Sequence, residues 1–430
     1  MKRMVKIIGG GLAGSEAAWF LANRGIKVKL YEMRPIKKTP AHVTEQFAEL
    51  VCSNSLRSND PYNAVGLLKE EMRMFGSLVM ESAIQAEVPA GSSLAVDRDR
   101  FSGYITEKIM NHPNIEVIRE EVKELNEDEL TIIAAGPLAS EPLSEFIRNK
   151  LHSESLHFFD AVAPILSAES INMDICYLKS RYDKGEASYI NCPMNKEEYD
   201  RFYEALMTAE KVVPKDFENN VFEGCMPVEV MAARGYETLR FGPLKPVGLE
   251  KADGTLPYAV VQLRQDDLNK TMYNIVGFQT SLKWGDQKRV IQMIPGLENA
   301  EILRYGVIHR NTYLNSPDYL NQAFQVKNIP NWFFAGQISG VEGYVESAAS
   351  GINAAINMYH YIKTNAVKPL PVHSMMGAMS QYISHYHHQF VPMNANFGLL
   401  EEVKAKKQER KKIYHDRAIE AIQNYIKENL

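Results

Sequence analysis

The run Val5-Lys6-Ile7-Ile8-Gly9-Gly10-Gly11-Leu12-Ala13-Gly14, followed by Val28-Lys29-Leu30-Tyr31-Glu32, constrains this chain more than any other stretch. An apolar run that ends in closely spaced glycines and continues at helical spacing reads as strand, tight turn and helix. Gly9 makes the turn, Gly11 lets a pyrophosphate reach the backbone, and Gly14 lets the helix pack close to the strand. Free N–H groups across Gly10, Gly11, Leu12 and Ala13, at the positive end of the helix dipole, favour a phosphate. Glu32 stands where an acid accepts from ribose hydroxyls, which disfavours a 2′-phosphate and points to FAD or NAD rather than NADP. A bare G-x-G-x-x-G is a weak signal, but here strand, helix, second strand and acid are all in register.

A chain of 430 residues exceeds one ordinary core, so two or three domains are expected. With 45% apolar and 23% charged residues it has the composition of a soluble globular protein. No apolar run approaches the ~20 residues that span a bilayer, and the N-terminus runs straight into the first strand without a signal-peptide core. A cytoplasmic protein with no membrane partner is therefore expected. The net charge of −5 gives no global reason to expect nucleic acid. Locally, Lys404, Lys406, Lys407, Arg410, Lys411, Lys412 and Arg417 face only Glu409 and Asp416. That stretch suits a phosphate-binding surface or a solvated helix face.

Helical spacing runs from Leu12 to Asn23 and stops at Gly25, a natural C-cap. Residues 37–63 read as loops with short turns, 65–75 as a helix, and 97–110 as a helix capped by Asp97 or Asp99. Ile115 to Ile118 and Leu130 to Ala134 read as strands. From Leu156 to Arg304 shorter strand runs mix with helices such as Lys196 to Met207. Asn331-Trp332-Phe333-Phe334-Ala335-Gly336-Gln337 is then another buried strand ending in glycine, followed by a small-residue helix from Glu346 to Tyr361. The layout expected is α/β: a discontinuous, Rossmann-like nucleotide-binding domain over 1–155 and 305–430, with an inserted α+β domain over 156–304. The second glycine-ended strand at Gly336 and the long insertion favour a tightly held FAD over a transient NAD.

Of the four cysteines, Cys176 and Cys192 sit in ordinary mixed sequence and read as buried structural residues. None forms a C-x-x-C pair, and the run His385-Tyr386-His387-His388 holds no carboxylate, so no metal site is expected. Cys52 lies in a polar loop with Arg57 nearby, and Cys225 lies between Gly224 and a Met-Pro pair. For each, a reactive thiol and a small gap-filling hydrophobe both fit. His309 and Arg310 precede the return to the nucleotide domain, a position from which they could line its cleft, though spacing alone does not show it. Tyr344, in a glycine-bounded loop, suits a flavin or base stacking partner, or a plug for the loop.

Five segments together resemble one family: Ile8 to Ala17, Glu49-Leu50-Val51-Cys52-Ser53-Asn54-Ser55, Phe222-Glu223-Gly224-Cys225-Met226-Pro227-Val228-Glu229, Ala335 to Tyr344, and Asn394-Ala395-Asn396-Phe397-Gly398-Leu399-Leu400. The chain resembles the folate- and FAD-dependent tRNA (uracil-5-)-methyltransferases over essentially its full length. The two cysteine motifs separate it from the related flavoproteins that modify wobble uridine. One departure is visible: Met375, Met376 and Met379 stand where the family more often has Thr or Ala and Leu, a change of core filling.

The resemblance implies that methylenetetrahydrofolate gives a one-carbon unit, that reduced FAD makes it a methyl group on C5 of a T-loop uridine, and that NADH or NADPH recycles the flavin. It implies Cys225 as the nucleophile, Cys52 as a base or protecting thiol, and Tyr344 as a flavin stacking partner, with Gly9 to Gly14, Glu32, Gly336 and Gln337 around the cofactor. Competing readings are the same chemistry on 23S ribosomal RNA, a small-molecule flavin oxidoreductase, which leaves both cysteine motifs idle, and a non-catalytic RNA-binding flavoprotein.

Overall fold

The computed structural model describes residues 4–153, 156–212, 226–388 and 390–430. Met4–Ile8 pairs in parallel with Lys27–Glu32, setting Val5 opposite Val28 and Ile7 opposite Leu30, and on its other edge with Thr131–Ile133. Ile115–Arg119 and Ile329–Phe334 extend the sheet in parallel, and Gln325–Val326 closes one edge antiparallel. Val5, Ile7, Val28 and Leu30 bury one face of the central strands, while Lys6, Lys27 and Lys29 on the other face keep some exposure. Trp332, Phe333 and Phe334 are fully buried in that core. This is a Rossmann-like sheet, as the glycine turn implied.

Helix Leu12–Asn23 follows the turn as expected and buries nearly every side chain. It packs on helix Tyr344–Thr364 at backbone contact, because a Cβ on Gly351 would lie 2.2 Å from the Ala13 carbonyl oxygen. That second helix begins at Tyr344 rather than Glu346. Gly343, at φ +112°, turns the chain straight into it, a conformation open to glycine. Asp97, not Asp99, caps helix Arg98–Met110 by accepting from the Arg100 N–H at 3.0 Å. The stretch 37–63 is mostly loop but contains the strand Ser55–Ser58, paired with Ser93–Val96.

A second, wholly antiparallel six-stranded sheet is drawn from strands between Ile165 and Arg304. Its central strand Ala259–Gln265 is buried along its length. Helix Lys196–Met207, with an Asn195–Glu198 capping box, lays Tyr199, Phe202 and Leu206 into the same core. Cys176 and Cys192 are buried there with their sulfurs 3.5 Å apart. The antiparallel ribbon Leu156–Ala161 and Ile308–Tyr313 carries the chain out of the first sheet and back. No helix among the described residues is long and apolar enough to cross a membrane.

Candidate functional site

A cleft of about 1030 Å³, part of it open to solvent, lies at the carboxyl end of the parallel sheet, where open α/β folds place their ligands. Gly9, Gly11, Leu12, Ala13, Glu32, Gly336, Gln337 and Tyr344 all line it. The glycines divide their labour. Gly9 has φ +103° and its added Cβ would meet the Ala134 carbonyl at 2.5 Å. A Cβ on Gly14 would meet the Gly9 carbonyl oxygen at 1.8 Å, whereas one on Gly11 meets nothing within 4 Å. Gly10 stands behind the turn: its Cβ would strike the Phe47 ring at 2.3 Å, and its N–H donates to Glu32 Oε2 at 3.0 Å.

Glu32 is buried and held by Arg34, whose Nε donates to Oε1 at 3.0 Å. Burial alone would raise this carboxyl. The Arg34 hydrogen bond and charge, with the N–H groups of Arg34 and Gly10, outweigh it and hold Glu32 below the usual carboxylate range. Arg34 Nη1 also reaches Glu49 Oε2 at 3.1 Å, so the ribose-side acid is tied directly to the motif that carries Cys52. Glu49 in turn accepts from the N–H groups of Val43 and Thr44 at 2.8 and 3.0 Å.

The Cys52 loop is clamped by four side chains far away in sequence. Tyr344 accepts at its hydroxyl from the N–H of Cys52 at 2.6 Å and of Ser53 at 3.1 Å. Arg98 donates to the Leu50 carbonyl at 2.7 Å and pairs with Asp266 at 3.0 Å. Burial would lower the Arg98 guanidinium, but the Asp266 carboxylate keeps it above its ordinary value. Arg304 donates to the Val51 carbonyl at 3.1 Å. Arg264 donates to Ser53 Oγ at 2.7 Å and Asn54 Oδ1 at 2.8 Å. Cys52 itself is partly exposed, with Sγ 3.8 Å from the Ala161 carbonyl. Replacing Tyr344 by Phe orphans two N–H groups, at about 1–3 kcal/mol each. We expect Tyr344→Phe to lower the melting temperature and to speed reaction of Cys52 with a disulfide reagent. An unchanged thiol reaction rate would show that the hydroxyl does not set the loop.

Cys225 lies outside the described residues, as do the side chains of His309 and Arg310. The described residues flanking 213–225 are fastened to one stretch. Val212 N–H donates to the Ser281 carbonyl and Val228 N–H to the Gln279 carbonyl, both at 2.7 Å. The buried carboxylate of Glu229, in the second cysteine motif, accepts from Ser281 N–H at 2.7 Å and from Thr280 Oγ1 at 3.0 Å. Gln287 links this stretch to Gly306, bonding the Leu282 carbonyl at 2.7 Å and the Gly306 N–H at 2.8 Å. Next to Gly306, Val307 accepts from Val162, the residue after the carbonyl that Cys52 touches. The described end of the second motif, Met226 to Glu229, and the Cys52 loop are thus both linked to residues that border the crossing ribbon.

A family model described as Glucose inhibited division protein A matches residues 4–366. The chain is 72% identical over 423 residues to the methylenetetrahydrofolate–tRNA-(uracil-5-)-methyltransferase TrmFO of Acholeplasma laidlawii, covering 98% of this chain and 99% of that one. The chain belongs to the methylenetetrahydrofolate–tRNA-(uracil-5-)-methyltransferase family. The member from Bacillus subtilis is 58% identical over 432 residues, covering 99% of each chain. Among solved structures, Aquifex aeolicus GidA superposes with a TM-score of 0.71 at 16% identity, covering 98% of this chain and 73% of that chain. At that identity the likeness is one of fold.

In this family member, the structure brings Gly9, Gly11, Leu12, Ala13, Glu32, Gly336, Gln337 and Tyr344 to one cleft, and the tyrosine hydroxyl joins that cleft to the Cys52 loop. Gly10 and Gly14, expected at the cofactor, lie behind its lining, Gly10 against Phe47 and Glu32 and Gly14 against the Gly9 carbonyl. Sequence reading missed Arg34, Arg98, Arg264, Arg304 and Glu346. Only Arg34 had a signal, lying two residues beyond the strand-ending acid. Glu346, fully buried in the first turn of its helix, pairs with Arg57 and accepts from the Ala395 N–H at 2.8 Å.

Proposed function

We propose that this chain methylates C5 of a T-loop uridine in tRNA. Methylenetetrahydrofolate is the one-carbon donor, FAD the bound reductant, and NADH or NADPH the source of electrons. The observation that carries the reading is 72% identity, over 98% of the chain, to a protein named for this activity. The cleft suits a dinucleotide. The Gly11 position leaves open the space a Cβ would fill, and helix Leu12–Asn23 points its N-terminus there. Gly9 to Gly14 would hold the pyrophosphate, Glu32 the ribose, and Gly336, Gln337 and Tyr344 the flavin end.

When bound, FAD supplies the reducing equivalents that complete the methyl group. The rest of the chemistry falls to the chain. Uracil C5 is a poor nucleophile. Addition of the Cys225 thiolate to C6 forms an S–C6 bond and gives C5 enolate character, so C5 can attack an electrophilic methylene. Loss of the C5 proton to a base then expels the thiolate and restores the 5,6 double bond, and the methyl group would be completed as the two electrons and a proton replace the methylene–nitrogen bond by a C–H bond and tetrahydrofolate leaves. Cys52 would act as the base or as a thiol that protects the cofactor. The uridine must first leave its stack, at a cost of a few kcal/mol, so the enzyme needs contacts to the flipped base and to flanking phosphates.

The test is to incubate the flavin-loaded protein with unmodified tRNA, labelled methylenetetrahydrofolate and NADH, then digest and look for 5-methyluridine. Label in ribosomal RNA but not tRNA would replace the substrate. No transfer to either would overturn the reading.

A further inference from the structure

The C-terminal helix Lys407–Asn429 is not fully accounted for by its packing role. Its buried face carries Tyr414, Ala418, Ile422 and Tyr425 into the main core. Its first turns, with the approach to them, present Lys404, Lys406, Lys411 and Lys412 to solvent on a chain whose net charge is −5. The acids here are Glu409 and Asp416 with the exposed Glu401 and Glu402 just before Lys404, and Asp416 and Glu70 are both bonded to His415.

This basic face is braced against the Cys52 loop along two routes. In the first, Phe397 stacks on Tyr414 with centroids 5.1 Å apart and planes at 14°. Two residues earlier, Ala395 N–H donates to Glu346, in the same helical turn as the tyrosine that holds Cys52. In the second, Lys411 Nζ donates to Asn63 Oδ1 at 2.9 Å and Asn63 Nδ2 to Ser58 Oγ at 3.0 Å. Beside Ser58, the half-exposed Arg57 reaches Glu346. Exposed Tyr62 packs against the His415 ring at 5.1 Å, and exposed Arg73 donates to Asn59 at 3.1 Å. Cations interleaved with an exposed aromatic, running from a helix toward a reactive loop, match an anionic backbone delivered to that loop.

We infer that Lys404, Lys406, Lys411 and Lys412, continued by Arg73 and Arg57, form the surface that grips the phosphates of the substrate RNA and sets its register on the Cys52 loop. This rests on the proposed RNA methylation and adds where the RNA lies. The surface recognises charge and not sequence, so it fixes position while the cleft selects the base. Asn394 to Leu400 is then a strut: it holds the phosphate-binding helix at a fixed distance from the cofactor-side turn.

The experiment compares flavin-loaded wild type with a Lys404→Glu, Lys406→Glu, Lys411→Glu, Lys412→Glu variant, measuring affinity for unmodified tRNA by fluorescence anisotropy across salt concentrations. We expect affinity to fall on the order of 100-fold at physiological salt, and the salt slope to shrink by about one per lysine removed. The visible flavin spectrum should not change. A Lys251→Glu, Lys288→Glu control, exposed and outside this surface, should bind as wild type does. Unchanged affinity and slope in the fourfold variant would overturn the inference, as would an equal loss in the control. Competition by phosphatidylglycerol vesicles as effective as RNA would replace the partner by a membrane. Wild-type protein that binds tRNA but transfers no methyl group would sink the proposed activity and leave the surface standing.

Discussion

Replacing Cys225 by alanine is expected to reduce methyl transfer to tRNA by on the order of 10⁴-fold or more, while the protein stays yellow. The size of the effect follows from the substrate. Without a nucleophile at C6, the C5 position remains part of a conjugated, electron-poor ring, and holding methylenetetrahydrofolate nearby does not make it attack. The loss therefore lies in kcat, with little change in RNA affinity. A denaturing gel gives the second readout: wild type should form a protein–RNA adduct on an analogue that blocks elimination, such as a 5-fluorouridine RNA, and Cys225→Ala should not. If Cys225→Ala methylates normally, the nucleophile lies elsewhere, and Cys52 is the next thiol to test. Cys52→Ala is expected to behave differently. Its loop has a second task in joining Glu49 and Arg34 to the cleft, so removing only the sulfur should leave that scaffold and the adduct intact.

The parts of the site that sequence reveals are those set by local backbone demands. Gly14 is required by a contact within the same strand–turn–helix and Gly9 by the positive φ of the turn, so their spacing is readable without the rest of the molecule, although the Ala134 carbonyl that also excludes a Cβ at Gly9 comes from a distant strand. The same holds for the Asn195–Glu198 capping box and the Asp97 cap. The clamp on Cys52 is different. Arg98, Arg264, Arg304 and Tyr344 meet the loop only after both sheets have formed, and nothing in the local context of the three arginines sets them apart from surface cations. Tyr344 shows how a small boundary error matters. Starting its helix at Glu346 leaves the tyrosine in a loop, where a stacking partner and a plug both fit. The positive φ of Gly343 places it in the first turn, where its hydroxyl takes the two amides. The polar strand Ser55–Ser58 escaped notice for a related reason: its pairing with Ser93–Val96 is irregular and leaves no alternation to read.

Gly11→Val is expected to remove the flavin and keep the fold. The backbone there, at φ −74° and ψ −168°, is an extended conformation that valine accepts, and an added Cβ meets no atom within 4 Å. The branched side chain instead occupies the cleft where a pyrophosphate would approach the helix N-terminus. It forces the phosphate off the N–H groups that would bind it. Losing that contact should weaken FAD binding at least about 100-fold, or about 3 kcal/mol. The purified variant should show no flavin absorbance, near-wild-type secondary structure by circular dichroism, and no stabilisation on adding FAD. Gly14→Val is the informative contrast. Its Cβ would sit 1.8 Å from the Gly9 carbonyl oxygen, so it should fail to fold or lose stability with or without FAD. A Gly11→Val protein that retains stoichiometric flavin at wild-type affinity would show that the pyrophosphate does not cross this turn, and the assignment of Gly9 to Gly14 as its cradle would have to be withdrawn.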